Sequence, residues 1–527
     1  MATLMKKFRI PLTVLFGILH ILIVKNRDKV TFTMPEEPRL YVYGLIIGAI
    51  VFCFLFYYIF FTVLQKLTEC DSAFLSYFKY FAGYFAFMAI FWLLTWPGIF
   101  KGDEFYVING AKNFLLSPAQ TGLTSTFYII SLLFFPSMAT ITLLQLLIIC
   151  SIFAVIMHDM SELIAGRRRI ILYLPFLLLS VIDGNLFTLR ATLVSWIFLF
   201  VICKLYYLVR TNTFSMKYAW LLAILSGLLI AWRTEYIYMI VLLPFTLWFL
   251  KKINLKRAFL LCLICFASYS LFQIPNKIAA NGSNKYPISL VLNPIANLFT
   301  EVETLKGPCV YDDVMEINEL VDAALLRQSA SVRNISQYWN IPDVLPKEQL
   351  NSFMKASLRL IIYNPDKFLK YRWQTFAYTN GLYPDRINHP CGTVDSINKL
   401  IYYDMDYKNM FVFMNPPLGQ QLREKTISVL ACRIYQQDAI KTTALLPVFY
   451  NCIPVMICML VLFVLACCKK DKLTAMLVLM TSVQVILIFL TAPAMFFMYY
   501  FCFYLNGYFL TALALANRKT HSPLTKD

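Results

Sequence analysis

The sequence predicts an all-α fold, a polytopic membrane protein of about twelve transmembrane helices with a mainly helical extracytoplasmic domain. Two observations predict this class. Apolar residues make up 59% of the 527 residues and charged residues only 14%, and the mean hydropathy is +0.64. The apolar residues also form runs bounded by charged residues, which is the pattern of helices that cross a bilayer. A soluble protein of this length would expose large apolar patches with such a composition.

Each helical span needs roughly 17–25 apolar residues, and twelve runs approach that length. In chain order these candidate spans are Phe8–Val24, Tyr41–Leu64, Tyr80–Trp96, Ala139–Met157, Ile170–Ile182, Ala191–Val209, Tyr218–Ala231, Tyr236–Leu250, Ala258–Gln273, Ala444–Cys468, Leu473–Leu490 and Met495–Ala516. No small-residue cleavage site follows the first run before the charged stretch "KNRDK". We therefore expect that run to be a span and not a cleavable signal.

The spans divide the chain into four parts. We expect two N-terminal transmembrane helices in residues 1–79 and a transmembrane core in 80–273, whose first outer loop is 97–138. An extracytoplasmic domain follows in 274–443, and three C-terminal helices with a cytoplasmic tail in 444–527. The third part contains "DDVMEINELVDAALL" and "KEQLNSFMKASLRLII", which place apolar residues at helical spacing. It is too long to be a simple connection.

Basic residues predict the orientation. The chain has 47 Lys and Arg against 29 Asp and Glu, a net charge of +18. Basic clusters lie on alternate connections, at Lys6–Arg9, Arg167–Arg169, Lys251–Arg257 and Lys469–Lys472, whereas the outer connection Lys25–Leu40 is a basic exception. The positive-inside rule then places both termini in the cytoplasm of a multi-pass cell-membrane protein. These clusters are short and separate, so they indicate topology and not a nucleic-acid surface.

Cysteine and histidine residues give little sign of a cofactor. Of 14 cysteines, only Cys309, Cys391 and Cys432 fall in the long outer segment, so at most one disulfide is possible there. The four histidines are scattered over different segments, which excludes a His-rich metal site. No motif requires a cofactor, and the sequence leaves open whether a divalent metal takes part.

With this orientation, four connections bring ionisable groups to the outer side. They are "GDE" at Gly102–Glu104, "DGN" at Asp183–Asn185 followed by Arg190, "WRTEY" at Trp232–Tyr236, and the long third part. The apolar run Thr124–Phe135 after the first of them is too short to cross. We expect it to lie along the outer interface with its apolar side on lipid.

This arrangement favours the transfer of a sugar from a lipid phosphate to an alcohol. The reaction requires a base that takes the hydroxyl proton and a cation that stabilises the leaving phosphate. Asp103 or Glu104 could supply the base, and Arg233 and Arg190 offer planar donors for phosphate. A lipid-phosphate leaving group stays at the membrane surface, where these residues are expected.

Two short motifs carry a resemblance to a known class. Pro97, Gly98 and Asp103 match a "PG-x4-D" start of the first outer loop, and Arg233 and Glu235 match an "R-x-E/D/G" element after a mid-chain helix. In these features the chain resembles the GT-C class of polytopic glycosyltransferases, and more narrowly uncharacterised bacterial members of it. The likeness runs from Tyr80 onward.

The resemblance implies an inverting transferase that uses polyprenyl-phosphate-linked sugars and a glycan, lipid or protein acceptor. It also implies a role for Asp183, which matches an acidic residue in the short loop ahead of the arginine element. The sequence departs from the class at Met498–Tyr499, where an Arg-Tyr pair is expected. The candidate residues are therefore Asp103, Glu104 and Asp183 as catalytic carboxylates, and Arg233, Arg190 and Glu235 at the phosphate.

Each candidate also has a purely structural interpretation. Asp103 and Glu104 could be the solvated end of a span, Arg233 and Glu235 an ion pair between two joined helices, and Asp183 an N-cap.

Two other functions are compatible with the hydropathy. A transporter or flippase of lipid-linked sugars would normally show internal repeats and polar interruptions in mid-membrane. A polysaccharide polymerase or ligase would not need the Pro-Gly-Asp element.

Overall fold

The protein is mainly helical, as the composition predicts. Its computed structural model describes residues 2–100, 102–118, 120–188, 190–330, 338, 340–382, 411–436 and 439–517. The helices are α1 Ala2–Thr31, α2 Leu40–Thr68, α3 Ser72–Leu94, α4 Gly102–Ala111, α5 Gly122–Phe134, α6 Met138–Leu163, α7 Leu179–Leu186, α8 Arg190–Arg210, α9 Met216–Trp232, α10 Met239–Phe249, α11 Leu255–Phe272, α12 Ile274–Ala280, α13 Ile288–Phe299, α14 Val310–Asn318, α15 Ala323–Gln328, α16 Lys347–Tyr363, α17 Pro365–Thr379, α18 Gln420–Leu430, α19 Leu446–Phe449, α20 Ile453–Cys468, α21 Lys472–Thr491 and α22 Phe501–Ala516.

Short 3₁₀ turns and one hairpin complete these elements. The longest 3₁₀ segment is Gly166–Leu177, directly before α7. The strands β1 (Arg433–Gln436) and β2 (Ala439–Thr442) pair antiparallel, with Arg433 opposite Thr442. This hairpin is the one departure from an all-helical fold in the described residues.

Many of the helices suit a bilayer. Within the described residues, eight are long and apolar enough to cross it, and Gly166–Leu177 with α7 forms a ninth candidate that is bent by 58°. The three remaining predicted spans coincide with shorter apolar helices, at Met216–Trp232, Thr234–Phe249 and Phe501–Ala516. These lengths and compositions confirm a multi-pass helical membrane protein, while the number of twelve spans stays a prediction.

Helices α6, α8 and α22 contribute to the core of the bundle, which also contains a polar network. Asn185 accepts a hydrogen bond from the indole of Trp196 at 2.7 Å and donates to the hydroxyl of Tyr84 at 2.9 Å. All three side chains are buried. Because an unsatisfied polar group is costly inside the bundle, this network fixes how the end of α7 sits against α8 and α3.

The short apolar run after the first outer loop is buried in protein, so the expectation that its apolar side faces lipid is wrong. This run forms α5, where Ile129 and Leu132 are fully buried. Helices α1 and α2 pack over it, and the carbonyl of Phe134 lies 2.5 Å from Nε2 of His20. A 13-residue apolar helix cannot span the bilayer, and the N-terminal helix pair provides it with protein partners instead.

Residues 274–443, here called the cap segment, contain a small core of their own around α13, α14 and α16. "KEQLNSFMKASLRLII" forms α16 as predicted, whereas the other predicted helix divides into α14 and α15. The division comes at Asp322, whose carboxylate accepts from the backbone N–H of Leu325 as an N-cap. Cys309 and Cys432 are free thiols, and Cys391 lies outside the described residues.

A buried arginine ties the cap segment to the bundle. Arg372 of α17 is 1% exposed and donates to two carbonyl oxygens at the end of α21, of Phe489 at 2.8 Å and of Ala492 at 2.7 Å. The last carbonyls of a helix have no partners within it, and a cation there also complements the helix dipole. The cap segment therefore packs directly on the helix ends that surround the candidate site.

Candidate functional site

The Pro-Gly motif shapes the entry to the first loop. Gly98 has φ of +142°, and a Cβ at this position would lie 2.2 Å from Oγ1 of Thr142. Any other residue would therefore be strained and would clash with α6. In this protein the glycine of the Pro-Gly pair is required by the close approach of its backbone to a neighbouring helix.

Arg423 of the cap segment holds the same turn from the other side. It is 1% exposed and donates to the carbonyl oxygens of Trp96 at 2.7 Å and Gly98 at 3.0 Å. Sequence reasoning missed this residue. The available signal was its spacing from Ile427 and Leu430, which places an arginine on the apolar face of α18.

Replacing this arginine should destabilise the protein. Arg423→Ala leaves two buried carbonyls without their charged donor, so we expect a loss of about 2–3 kcal/mol in the free energy of unfolding. Thermal unfolding in detergent would measure it. Lys425→Ala is the matched control, because Lys425 lies exposed on the same helix. If the two variants unfold at the same temperature, Arg423 does not hold the turn.

A backbone contact brings the first loop next to the start of α8. Ile99 forms a parallel bridge with Phe187, and its N–H donates to the carbonyl of Leu186 at 3.3 Å. Gln145 fixes this segment by donating to the carbonyl of Phe187 at 2.9 Å. The chain then enters α4 on one side and α8 on the other, so Asp103 and Arg190 stand in the first turns of adjacent helices.

The junction between α9 and α10 supplies the second cation. Arg233 is 5% exposed and donates to the carboxylate of Glu235 at 2.6 Å, and its guanidinium lies 5.7 Å from the ring centre of Tyr499. The guanidinium and the carboxylate thus form a direct ion pair, and Arg190 lines the same space as this pair.

One cavity of about 290 Å³ joins these groups. Asp103, Arg190, Arg233 and Glu235 all line it, so the structure brings together four of the six predicted site residues. The remaining lining residues are Gln120, Ala191, Tyr286, Ser289, Leu290, Tyr338, Ile488, Thr491, Ala492, Pro493, Phe496, Met498 and Tyr499. The cavity thus lies at the ends of α8, α9 and α21, beneath the start of α13. We call it the site cavity.

Glu104 does not line the site cavity, so the structure separates it from Asp103, and its catalytic role stays a prediction. It is fully buried on the face of α4 that also carries Ile108 and Ala111, and these two side chains are fully buried as well. Consecutive helical residues point about 100° apart, so Asp103 is exposed while its neighbour packs inward. The solvated-end interpretation therefore fails for Glu104.

Asp183 also lies away from the site cavity. It is fully buried within α7, and the hydroxyl of Tyr450 lies 2.9 Å from its carboxylate and 2.6 Å from the carbonyl oxygen of Leu430. It is neither in a loop nor at an N-cap, because the run Leu179–Leu186 is helical. Its contacts connect the bundle to the end of α18, it does not line the site cavity with Asp103, and its catalytic role stays a prediction.

The sequence did not identify the polar groups that complete the cavity. Gln120 donates to one carboxylate oxygen of Asp103 at 3.0 Å and so orients it. Tyr286, Ser289 and Tyr338 reach the cavity from the cap segment. These cap-segment residues are far from Asp103 in the sequence and come close to it only because the cap segment packs on the bundle, so the sequence does not indicate them.

The arrangement offers a carboxylate, an arginine and an ion-paired arginine around a space of small-molecule size. Nε of Arg233 has no hydrogen-bond partner among the described residues. No group of three or more His, Cys, Asp or Glu side chains suited to a metal occurs in that part of the chain. Comparison with protein-family models, curated proteins and solved structures finds no match.

Proposed function

We propose that the protein is a membrane glycosyltransferase that moves a sugar from a polyprenyl-phosphate donor to an extracytoplasmic acceptor. One observation carries the proposal, the single cavity that holds Asp103 together with Arg190 and Arg233. These three residues come from three different connections between apolar helices. A structural ion pair explains Arg233 and Glu235, but it does not explain why an exposed carboxylate and another arginine face the same space.

The proposed reaction balances with these groups. Asp103 accepts the proton of the acceptor hydroxyl while its oxygen bonds to the anomeric carbon, and the bond from that carbon to the phosphate oxygen breaks. The electron pair leaves with the lipid phosphate, whose charge Arg190 and Arg233 stabilise. Attack opposite the leaving group inverts the anomeric centre. The hydrogen bond from Gln120 keeps the base oriented without neutralising it.

The other walls suit the two substrates. Phe496, Met498 and Tyr499 form an apolar side next to Arg233, in keeping with a donor whose lipid part stays in the membrane. Tyr286 and Tyr338 belong to the cap segment and offer aromatic faces and hydroxyls for a sugar or another polar acceptor. The acceptor class is a glycan, lipid or protein, and a nucleic acid plays no part.

The proposal can be tested with purified full-length protein in liposomes. Polyprenyl-phosphate sugars are offered with soluble glycan acceptors, and release of polyprenyl phosphate is measured by mass spectrometry. We expect release that depends on the acceptor. Movement of the intact donor across the bilayer without bond cleavage would instead identify a flippase. Repeated addition to a growing chain from a diphosphate-linked oligosaccharide would identify a polymerase or ligase.

The proposed orientation makes a separate prediction. Because the reaction is placed outside the cytoplasm, reporter fusions should locate Lys251–Arg257 in the cytoplasm and Tyr311 on the opposite side. Cysteine accessibility in intact cells gives a second measurement, since Cys309 is exposed in the cap segment. If both positions are found on one side of the membrane, the proposed topology is wrong. The proposed extracytoplasmic location of acceptor binding is then wrong as well.

A further inference from the structure

A second cavity, of about 560 Å³, lies between α1, α2 and α5 and shares no lining residue with the site cavity. We call it the N-terminal cavity. Its walls include Val24, Phe32, Ile46, Ala49, Phe114 and Phe134. It is therefore a mainly apolar space built by the N-terminal helix pair over the short helix α5.

The cavity lies in a part of the protein that lipid surrounds. Helices α1 and α2 contain two of the membrane-spanning candidates and expose large apolar side chains, with Ile23 73% and Ile47 60% exposed. Large apolar surface of this kind on a membrane helix contacts hydrocarbon. Molecules that enter the N-terminal cavity from this side come from the bilayer.

Two polar side chains in its lining, His20 and Cys53, have partners within the protein. His20 contacts the hydroxyl of Tyr57 at 3.1 Å through Nδ1 and the carbonyl of Phe134 at 2.5 Å through Nε2. The thiol of Cys53 lies 3.9 Å from the carbonyl of Gly17. Water needs two to four polar partners to occupy a cavity, and an apolar cavity without them takes up apolar molecules instead.

One cation stands at the rim. Lys25 ends the apolar stretch Lys6–Lys25, lines the cavity and is exposed. Because a lysine at the end of a span extends its ammonium toward the head groups, we expect this ammonium at their level. Among the described lining residues it is the only lysine or arginine. One ammonium matches the single negative charge of a phosphodiester, whereas a phosphomonoester carries about −1.5 to −2 charges at neutral pH.

We propose that the N-terminal cavity binds an acyl chain of an anionic phospholipid, with the head-group phosphate at Lys25. The chain fills the space against Phe134 and Phe114, which stand at the end of α5 and just after α4. The lipid thereby completes the packing of the loop that carries Asp103. This site does not depend on the glycosyltransferase proposal, because it shares no residue with the site cavity.

Photolabelling tests the proposal. The full-length protein is reconstituted with phosphatidylglycerol that carries a diazirine on one acyl chain, and labelled peptides are mapped by mass spectrometry. We expect labels on the peptides that contain Phe114 and Phe134. Ala49→Phe fills the cavity and should abolish these labels, whereas Lys25→Gln should reduce them about fivefold through loss of one head-group contact.

Matched variants make the result specific. Ile47→Phe adds a similar ring on the exposed side of α2, and Lys7→Gln removes an exposed lysine at the other end of α1. Both should label as the unaltered protein does. Equal labelling of Ala49→Phe would refute the cavity site, and equal labelling by phosphatidylcholine would refute the anionic head group. Displacement by polyprenyl phosphate at much lower concentrations would show that the occupant is a different lipid.

Discussion

Asp103→Asn should lower the turnover of a polyprenyl-phosphate sugar by at least about 100-fold, because a general base contributes about 100-fold to 10,000-fold. The side chains are nearly equal in size, and the asparagine oxygen can still accept from Gln120. What is lost is the capacity to take a proton. Expression and thermal stability in detergent should stay close to those of the unaltered protein, since Asp103 is exposed.

Two further variants decide whether Asp103 is the base. Asp312→Asn removes an exposed carboxylate in the first turn of α14, and it should keep full turnover. Glu104→Gln alters a buried group outside the site cavity, so it should affect stability more than turnover. If Glu104→Gln abolishes transfer while Asp103→Asn retains it, the base is the neighbouring residue. Full transfer in both would remove the central residue of the mechanism.

Hydropathy predicts much of this fold because lipid imposes a simple requirement. A span needs enough consecutive apolar residues whatever its neighbours are, so a helix lies at each of the twelve predicted positions. The same signal says little about which helices touch. The packing of α1 and α2 over α5 depends on which side chains fit together in three dimensions. The contact between Nε2 of His20 and the carbonyl of Phe134 is one example, and no sequence pattern predicts it.

The candidate site was partly predictable for a similar reason. Asp103, Arg190 and Arg233 lie in short connections at the same ends of apolar runs, where several ionisable groups on one side of the membrane indicate a site. Choosing between Asp103 and Glu104 needs the rotational phase of α4, which the spacing of Glu104, Ile108 and Ala111 would have indicated. No local spacing indicates the surroundings of Asp183, because the residue that contacts its carboxylate is Tyr450, which lies far along the chain.

The cap segment shows the limit of reasoning from local sequence. Arg372 and Arg423 are both buried where the segment meets the bundle, and only Arg423 has a local signal, its spacing from Ile427 and Leu430. Their partners are backbone carbonyls. Every residue type has a carbonyl, so the sequence cannot show which of them accept these hydrogen bonds. Only the folded arrangement shows that this segment anchors the turn before Asp103 and also supplies Tyr286 to the site cavity.

Arg233→Lys should lower kcat/KM for the lipid-phosphate donor by about 100-fold, in the range measured when one donor to a developing oxyanion is removed. Lysine keeps the charge and can still pair with Glu235, so the partly exposed carboxylate keeps a cationic partner. It loses the planar fork that binds phosphate through two hydrogen bonds and contacts aromatic rings such as Tyr499.

The matched control is Arg210→Lys. Arg210 also pairs with a carboxylate, that of Asp471, but it does not line the site cavity. Its loss should leave donor kinetics unchanged. A loss of turnover in Arg233→Lys without a change in the unfolding temperature would show that the guanidinium acts on the donor. Wild-type kinetics in Arg233→Lys, with lower stability in Arg233→Ala, would instead make Arg233 and Glu235 a structural pair between α9 and α10 and leave Arg190 as the phosphate partner to test.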